Sequence, residues 1–241
     1  MNTGSLLKPS RYINFIRWTF FEIKNTLFNA LKGCKSIHYS LEGEDILLSL
    51  NIKNKSGFYV DIGAHHPRYL SNTYLFYKKG WRGINIDAMP GSMILFNKQR
   101  HRDINLEIPI SDIDDKIKYH VFKAKALNTF SSELKNEYIK NGHILEQTIV
   151  LTPQKLSDVL DKYLPKNVHI NFISVDVEGY DLQVLKSNNW FKYRPDYIVV
   201  EDQKFDIESP EKSKIYKYLT GKHYKLLSKL YTSLIFVSKI S

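Results

Sequence analysis

The sequence GFYVDIGAHHP, residues 57–67, decides the fold class of this chain. Residues 58–64 form a short β-branched and aromatic run that a glycine closes, which is typical of a buried strand. Gly63 lets the backbone approach a ligand where a side chain would collide. GINID at residues 83–87 predicts a second strand, and residues 72–79 predict a helix between the two. This order predicts a right-handed βαβ unit.

The same alternation continues to the end of the chain and predicts a mostly parallel, doubly wound α/β sheet. Further strands are predicted at 105–110, 116–123, 170–177 and 197–201, the second of them half-exposed. Further helices are predicted at 91–100, 155–163, 180–186 and 210–220. Residues 224–227 and 233–238 predict a C-terminal antiparallel hairpin. Residues 124–150 fit no regular pattern, and we interpret them as an inserted loop or lid that contacts the acceptor.

Composition excludes several classes of protein. The 241 residues are 43% hydrophobic and 25% charged, which is globular composition and not that of a disordered chain. The single cysteine excludes an internal disulfide and a cysteine-based zinc site. The net charge of +10 comes from the flanks, because residues 1–39 and 203–241 each carry +5. That pattern favours solvated surface lysines over a nucleic-acid-binding element.

The chain is predicted to have two parts, an N-terminal extension at 1–39 and a catalytic domain at 40–241. Within the extension, residues 11–32 carry apolar side chains at helical spacing, which predicts a basic amphipathic helix. Such a helix packs on its own domain or lies on an anionic membrane surface. We see neither a signal peptide nor an apolar run of bilayer length, so we expect a cytoplasmic protein, with peripheral membrane contact as the alternative.

Acidic residues collect where the predicted strands end, which is where ligands bind in such sheets. Asp87 follows Gly63 by about two dozen residues and is placed to accept hydrogen bonds from both hydroxyls of a ribose. No further glycines cradle a pyrophosphate, which argues against a dinucleotide. A carboxylate-rich pocket suits a ligand with a ribose and positive charge, and S-adenosylmethionine has both. Residues 71–73 offer donors for its carboxylate.

At the level of motifs, the chain resembles the FkbM family of S-adenosylmethionine-dependent methyltransferases over residues 40–201. The matching blocks are SLEGEDILL (40–48), GFYVDIGAHHP (57–67), SNTYLFYKKGWRGINIDAMPGSM (71–93), RDINLEIPISD (102–112), LNTF (127–130), FISVDVEGYDLQVLK (172–186) and RPDYIVVE (194–201). The resemblance implies a Rossmann-like class I methyltransferase fold and O-methylation of sugars, glycans or polyketides. Asp87 and Asp181 stand where the family commonly has glutamate, which shortens the reach of each carboxylate.

From the strand ends and this resemblance we predict the site residues. The predicted cofactor-binding residues are Asp61, Gly63, Ala64, Ser71, Asp87, Ala88, Ser111 and Asp112. Asp176 is the predicted general base, because a sugar hydroxyl is a poor acid that needs activation. Glu178 is predicted to position the acceptor, since residues two apart on a strand share a face.

Three alternatives remain open on the sequence. Asp176, Glu178 and Glu201 could hold Mg²⁺ or Ca²⁺, although we assign no metal ligand. The chain could instead be a non-catalytic module that binds a nucleoside or glycan on the same fold. A nucleic-acid methyltransferase would use the basic flanks and predicts salt-dependent binding. The partner we expect is a carbohydrate-like or other small-molecule acceptor, and no nucleic acid.

Overall fold

The structure is a computed structural model that describes residues 19–24 and 37–240. The chain divides into two units between Ile37 and His38, and the assignment of domains at 1–39 and 40–241 stays a prediction. The amphipathic helix predicted at 11–32 lies mostly outside the described residues. Residues 19–24 are helical, and Phe20 and Ile23 are exposed there. In the described parts of the chain, no helix has the length and apolar character needed to cross a membrane.

The second unit alternates helices and strands. Its helices are α1 (Glu44–Asn51), α2 (Tyr74–Lys78), α3 (Met93–Gln99), α4 (Ser132–Lys140), α5 (Leu156–Tyr163), α6 (Asp181–Lys186) and α7 (Lys214–Gly221). Its strands are β1 (Phe58–Ile62), β2 (Arg82–Asp87), β3 (Ile104–Glu107), β4 (Ile117–Phe122), β5 (Leu145–Leu151), β6 (Phe172–Val175), β7 (Tyr197–Glu201), β8 (Tyr224–Lys229) and β9 (Ser233–Ser238). Short 3₁₀ turns lie at Lys125–Leu127 and Pro210–Lys212.

Seven strands form the main sheet in the order β3-β2-β1-β6-β7-β9-β8. The first five are parallel, whereas β9 runs antiparallel to both β7 and β8. The predicted mostly parallel sheet with a C-terminal hairpin is therefore confirmed. The chain winds outward from β1 to β3 and then returns to β6, so the strand order reverses between β1 and β6. The carboxyl ends of these two strands are the expected place for a ligand.

Both faces of the main sheet are covered, which explains why β1 is buried at every residue. Val60 and Ile62 belong to the larger apolar cluster on one face, with residues of β2, β6, α5 and α6. Tyr59 belongs to a second cluster on the other face, rich in aromatic residues such as Trp81 and Phe172. Burial on two faces favours the nearly continuous apolar runs that the sequence has at 58–62 and 172–175, which only Asp61 and Ser174 interrupt.

A buried ion pair lies on the face of the main sheet that carries Tyr59. Arg100, which follows α3, is fully buried, and its Nε donates to Asp103 at 2.9 Å. The guanidinium also donates to the Tyr59 hydroxyl at 2.6 Å and to the carbonyl of Pro67 at 2.9 Å. Arg100 thereby ties the loop after β1 to the start of β3.

Strands β4 and β5 pair with each other as a separate antiparallel sheet. Together with the helix α4 between them they form residues 117–151, which we call the lid. The strand predicted at 116–123 is present as β4, but the expected half-exposure is wrong, because only Lys118 of this strand is exposed. Residues 124–150 are an organised unit rather than an irregular loop. Tyr119 and Phe130 of the lid pack on Ala88 and Met89, which follow β2.

Candidate active site

A cavity of about 280 Å³ opens at the carboxyl ends of the central strands. Residues at or just after the ends of β1, β2, β6 and β7 form its floor. The lid contributes Tyr119, Asn128 and Phe130 to its wall, and Leu41 and Glu44 approach from the start of α1. The cavity therefore lies where the strand order reverses and where the sequence predicts the ligand.

The loop after β1 is held against its neighbours by its backbone. Gly63 N–H and Ala64 N–H both donate to the carbonyl of Ile86, at 2.9 and 3.1 Å. Gly63 has φ +82°, and a β-carbon there would overlap the carbonyl oxygen of Asp176. The close approach of these two loops therefore requires glycine at this position.

Asp87 ends β2 and lines the cavity beside Gly63. Its two carboxylate oxygens accept hydrogen bonds from the backbone of His65 at 3.1 Å and of Met89 at 2.7 Å. Each oxygen keeps a further lone pair, so the carboxylate can also accept from a diol. Burial raises the pKa of Asp87, against the effect of these hydrogen bonds. The remaining acceptor capacity of the carboxylate fits the ribose contact predicted from the sequence, which stays a prediction.

The predicted cofactor-binding residues divide into two groups. Gly63, Asp87 and Ala88 line the cavity. The other five lie outside its lining: Asp61, Ala64, Ser71, Ser111 and Asp112. Their roles in binding stay predictions, and their side chains have other contacts. Ala64 packs on Met93 and Phe96.

The hydroxyls of Ser71 and Ser111 accept backbone hydrogen bonds, from Tyr74 at 3.1 Å and from Ile113 at 3.2 Å. Asp112 is half-buried, and Asp61 is buried and accepts a hydrogen bond from the Thr73 hydroxyl at 2.7 Å. Burial raises the pKa of Asp61 to about 6. Asp61 is therefore a buried, hydrogen-bonded residue next to Ile62 of the cavity lining and not itself part of that lining.

His65 is the histidine that reaches the cavity, and it has φ +47°. Burial lowers its pKa, so its imidazole is neutral at physiological pH. The next residue, His66, turns its Nδ1 to the backbone N–H groups of Arg68 and Tyr69, at 3.1 and 3.0 Å. His66 therefore has a structural role in its own loop.

Three carboxylates meet in the cavity: Asp176, Glu178 and Glu201. One oxygen of each lies within 4.8 Å of the others. Asp176 follows β6, and its N–H donates to the carbonyl of Ile62 at 3.0 Å. Solvent reaches Asp176 through the open cavity, although protein surrounds it on the other sides.

Burial, followed by the neighbouring carboxylates, raises the pKa of each group in this cluster. The pKa of Asp176 lies well above its usual range, and that of Glu178 is raised to about 7. Burial also raises the pKa of Glu201. A raised pKa makes each of these carboxylates a stronger proton acceptor than an ordinary one, which favours a role as general base.

A turn brings Asp176 and Glu178 together. The expected strand alternation is wrong here, because β6 ends at Val175 and Glu178 has φ +50°. Asp181 holds the turn by accepting hydrogen bonds from the N–H groups of Val177 at 3.2 Å and Gly179 at 3.1 Å. Burial raises the pKa of Asp181 to about 8.

Several lining residues lie outside the predicted site. Glu44 of α1 is buried and accepts a hydrogen bond from the Ser233 hydroxyl of β9 at 2.9 Å. Asn72 donates to the Ser174 hydroxyl at 3.0 Å and is the residue of the predicted 71–73 donor set that lines the cavity. The SLEGEDILL block was the signal for Glu44. Ser233 had no signal, because only the hairpin brings it to the cavity.

Comparison with known protein families identifies the family of this chain. The model of the methyltransferase FkbM domain matches residues 61–226. The chain belongs to the FkbM methyltransferase family. As an FkbM protein it is an S-adenosylmethionine-dependent methyltransferase, as the motifs predicted. The prediction of an enzyme is therefore confirmed over the alternative of a non-catalytic binding module.

Two solved methyltransferase structures are similar to this FkbM protein. One is a 1,6-didemethyltoxoflavin-N1-methyltransferase from Burkholderia thailandensis, at 12% identity and a TM-score of 0.41, with 98% of this chain and 93% of the other covered. The other is an O-methyltransferase from Bacillus cereus, at 12% identity and a TM-score of 0.41, with 89% and 88% covered. Comparison with curated protein sequences gave no significant match.

Proposed function

We propose that this FkbM protein transfers a methyl group from S-adenosylmethionine to a hydroxyl of a sugar, a surface glycan or a related small molecule. The observation that carries the proposal is the cluster of Asp176, Glu178 and Glu201 in the cavity. A sugar hydroxyl has a high pKa and needs a proton acceptor to become nucleophilic. A carboxylate whose pKa is raised toward neutrality is a stronger base than an ordinary one.

The residues around the cavity fit the proposed cofactor. S-adenosylmethionine supplies a methyl group on a positively charged sulfur. Asp87 offers two carboxylate oxygens for the ribose hydroxyls, and Gly63 leaves the neighbouring floor free of a side chain. The carboxylate cluster lies in the same cavity and would balance the positive charge on the sulfur of the cofactor.

In the proposed reaction Asp176 accepts the proton of the acceptor hydroxyl, and Glu178 accepts a hydrogen bond that orients the acceptor. Asn128 and Phe130 of the lid form part of the cavity wall, and a bound acceptor would displace water beside them, which strengthens charge interactions inside the site. Placing the acceptor oxygen in line with the methyl group supplies much of the remaining rate enhancement.

A divalent cation is the alternative way to activate the hydroxyl. Three carboxylate oxygens within 4.8 Å of one another are the ligand type that Mg²⁺ prefers. The two mechanisms differ in their response to chelation. Metal-free enzyme that keeps its rate supports Asp176 as the base, whereas loss of activity that Mg²⁺ restores supports the cation.

The proposal is tested with labelled S-adenosylmethionine and a panel of nucleotide sugars and lipid-linked glycans, followed by mass analysis of the product. We expect Asp176→Asn to keep its affinity for S-adenosylmethionine and to lose turnover. The matched control is Asp161→Asn, because Asp161 of α5 forms an exposed ion pair with Lys192. Normal turnover by Asp176→Asn would assign the base elsewhere, and methylation of added RNA or DNA without methylation of any member of the panel would overturn the acceptor class.

A further inference from the structure

Glu178 has a backbone conformation that needs support from outside its own turn. It has φ +50°, and Gly179 after it has φ +87°. The left-handed region is unfavourable for a residue with a β-carbon, and such residues persist where the surrounding structure holds them. The contacts that hold Glu178 therefore identify what sets its position in the cavity.

Two hydroxyl groups of the lid hold Glu178. The Thr129 hydroxyl donates to the carbonyl of Glu178 at 2.6 Å, and the Tyr138 hydroxyl donates to its carboxylate Oε2 at 2.6 Å. Thr129 is fully buried and exchanges two backbone hydrogen bonds with His120 of β4, at 2.8 and 3.1 Å. The lid thus fixes both the backbone and the side chain of Glu178.

Helix α4 directs the Tyr138 hydroxyl at Glu178. The Tyr138 ring packs edge-on against Phe122 and His143, with centroids 5.6 and 6.0 Å away. One turn earlier, Leu134 lies so close to Gly179 that a β-carbon there would be 2.7 Å from its Cδ1. Burial and the bond to Glu178 raise the pKa of Tyr138, so the phenol keeps its proton and donates.

A hydrogen bond to a carboxylate favours the charged form, whereas the burial of Glu178 and the nearby Glu201 favour the neutral form. We propose that Tyr138 is a positioning residue for methyl transfer, whose hydrogen bond directs the Glu178 carboxylate into the cavity. The inference rests on the proposed function, in which Glu178 orients the acceptor. It assigns the lid a part in the chemistry as well as in covering the site.

The test is a titration of Glu178 that is monitored by NMR in protein labelled with ¹³C at the glutamate carboxyl carbons. The resonance of Glu178 is assigned by its absence in Glu178→Gln. We expect Tyr138→Phe to raise the apparent midpoint by about one pH unit, because the variant loses a hydrogen bond that favours the charged carboxylate. Tyr163→Phe, which removes the hydroxyl of a half-buried tyrosine on α5, is the matched control and should leave it unchanged. An unchanged midpoint in folded Tyr138→Phe would overturn the proposal.

A reciprocal measurement serves if Tyr138→Phe does not fold. The Cζ resonance of Tyr138 is monitored near neutral pH in protein labelled at the tyrosine ring carbons, with and without Glu178→Gln. We expect the loss of the carboxylate acceptor to shift this resonance, and no change would contradict the proposal. Both measurements use the cofactor-free protein, so a failure to find a methylated sugar affects only the proposed function. In the methyl-transfer assay, Tyr138→Phe should move the acidic limb of the kcat profile to higher pH while KM for S-adenosylmethionine stays constant.

Discussion

Gly63 and Asp176 are in direct backbone contact at the point where the strand order reverses. The two residues follow the adjacent parallel strands β1 and β6, and a β-carbon on Gly63 would overlap the carbonyl oxygen of Asp176. The glycine loop of the predicted cofactor site and the predicted base are thus parts of one tightly packed unit. A substitution at either residue should displace the backbone of the other.

Replacing Gly63 by alanine should therefore have two costs. The positive φ costs about 1–2 kcal/mol for a residue with a β-carbon, and the overlap with Asp176 adds to it. We expect lost affinity for S-adenosylmethionine in calorimetry and a free energy of unfolding lowered by more than the strain alone. Gly80→Ala is the matched control, because Gly80 has φ +93° with open space around it. Equal effects of the two substitutions would show that the contact is unimportant.

Asp87→Ala should weaken binding of S-adenosylhomocysteine by about 10- to 100-fold, because hydrogen bonds to a charged group contribute about 1.5–3 kcal/mol. Wild-type protein should discriminate against the 2′,3′-dideoxy analogue, and the variant should bind both ligands alike. Glu107→Gln, at the end of the neighbouring strand β3, is the control, since Glu107 lies outside the cavity lining. Discrimination that survives in Asp87→Ala would exclude the ribose contact.

The stability of the ligand-free protein should fall as pH rises from about 4.5 to about 7. Burial raises the pKa of Glu178 from its ordinary 4.5 to about 7, so the folded state holds more protons than the unfolded state in this window. The contribution of protonated Glu178 to stability is complete below the unfolded-state pKa of 4.5 and is lost as the pH rises through the folded-state pKa of about 7. Chemical unfolding at a series of pH values measures the slope.

Binding of S-adenosylmethionine should reduce this loss, because its positive charge favours the charged carboxylates. Its binding should release protons near pH 6, which calorimetry in buffers of different ionisation enthalpy detects. Glu201→Gln should flatten the pH slope, since it removes one carboxylate from the cluster. Rising stability across the window would contradict the raised pKa values.

Arg100→Met should destabilise the protein by about 3–5 kcal/mol, because it leaves the charge of Asp103 buried without its partner. It also removes the donor to the carbonyl of Pro67, in the loop after β1. Arg102→Met is the control, because Arg102 is exposed two residues away. Denaturant unfolding of both variants measures the difference, and a cost under 1 kcal/mol for Arg100→Met would show that the pair contributes little.

The centre of the main sheet was predictable because its strands β1 and β6 are buried on both faces. Every predicted strand of the main sheet is present, with ends shifted by a few residues. Residues 170–177 show the typical error: the apolar run extends past Val175, where β6 ends and the turn toward Glu178 begins. Hydrophobic pattern marks burial, and burial continues into the floor of the cavity.

The lid and the acceptor side of the cavity were less predictable. Helix α4 has no buried residue and β5 is largely exposed, so neither carries a strong apolar period. Glu44 and Ser233 are far apart in sequence and meet only because the hairpin β8–β9 lies beside β7. Tyr138 gives no motif at all, since its contact with Glu178 depends on the packing of two separate elements.

The separate pairing of β4 and β5 makes the lid a natural unit of exchange among related enzymes. Within residues 37–240, β4 and β5 form strand pairs only with each other and not with the main sheet. Grafting residues 117–151 from another family member would therefore not shift the register of the main sheet. Under the proposed function, in which the lid contacts the acceptor, such exchange would change the acceptor while the cofactor half stays constant. A working chimera would have to bring its own hydroxyl to Glu178, which gives engineers a simple criterion for choosing donors.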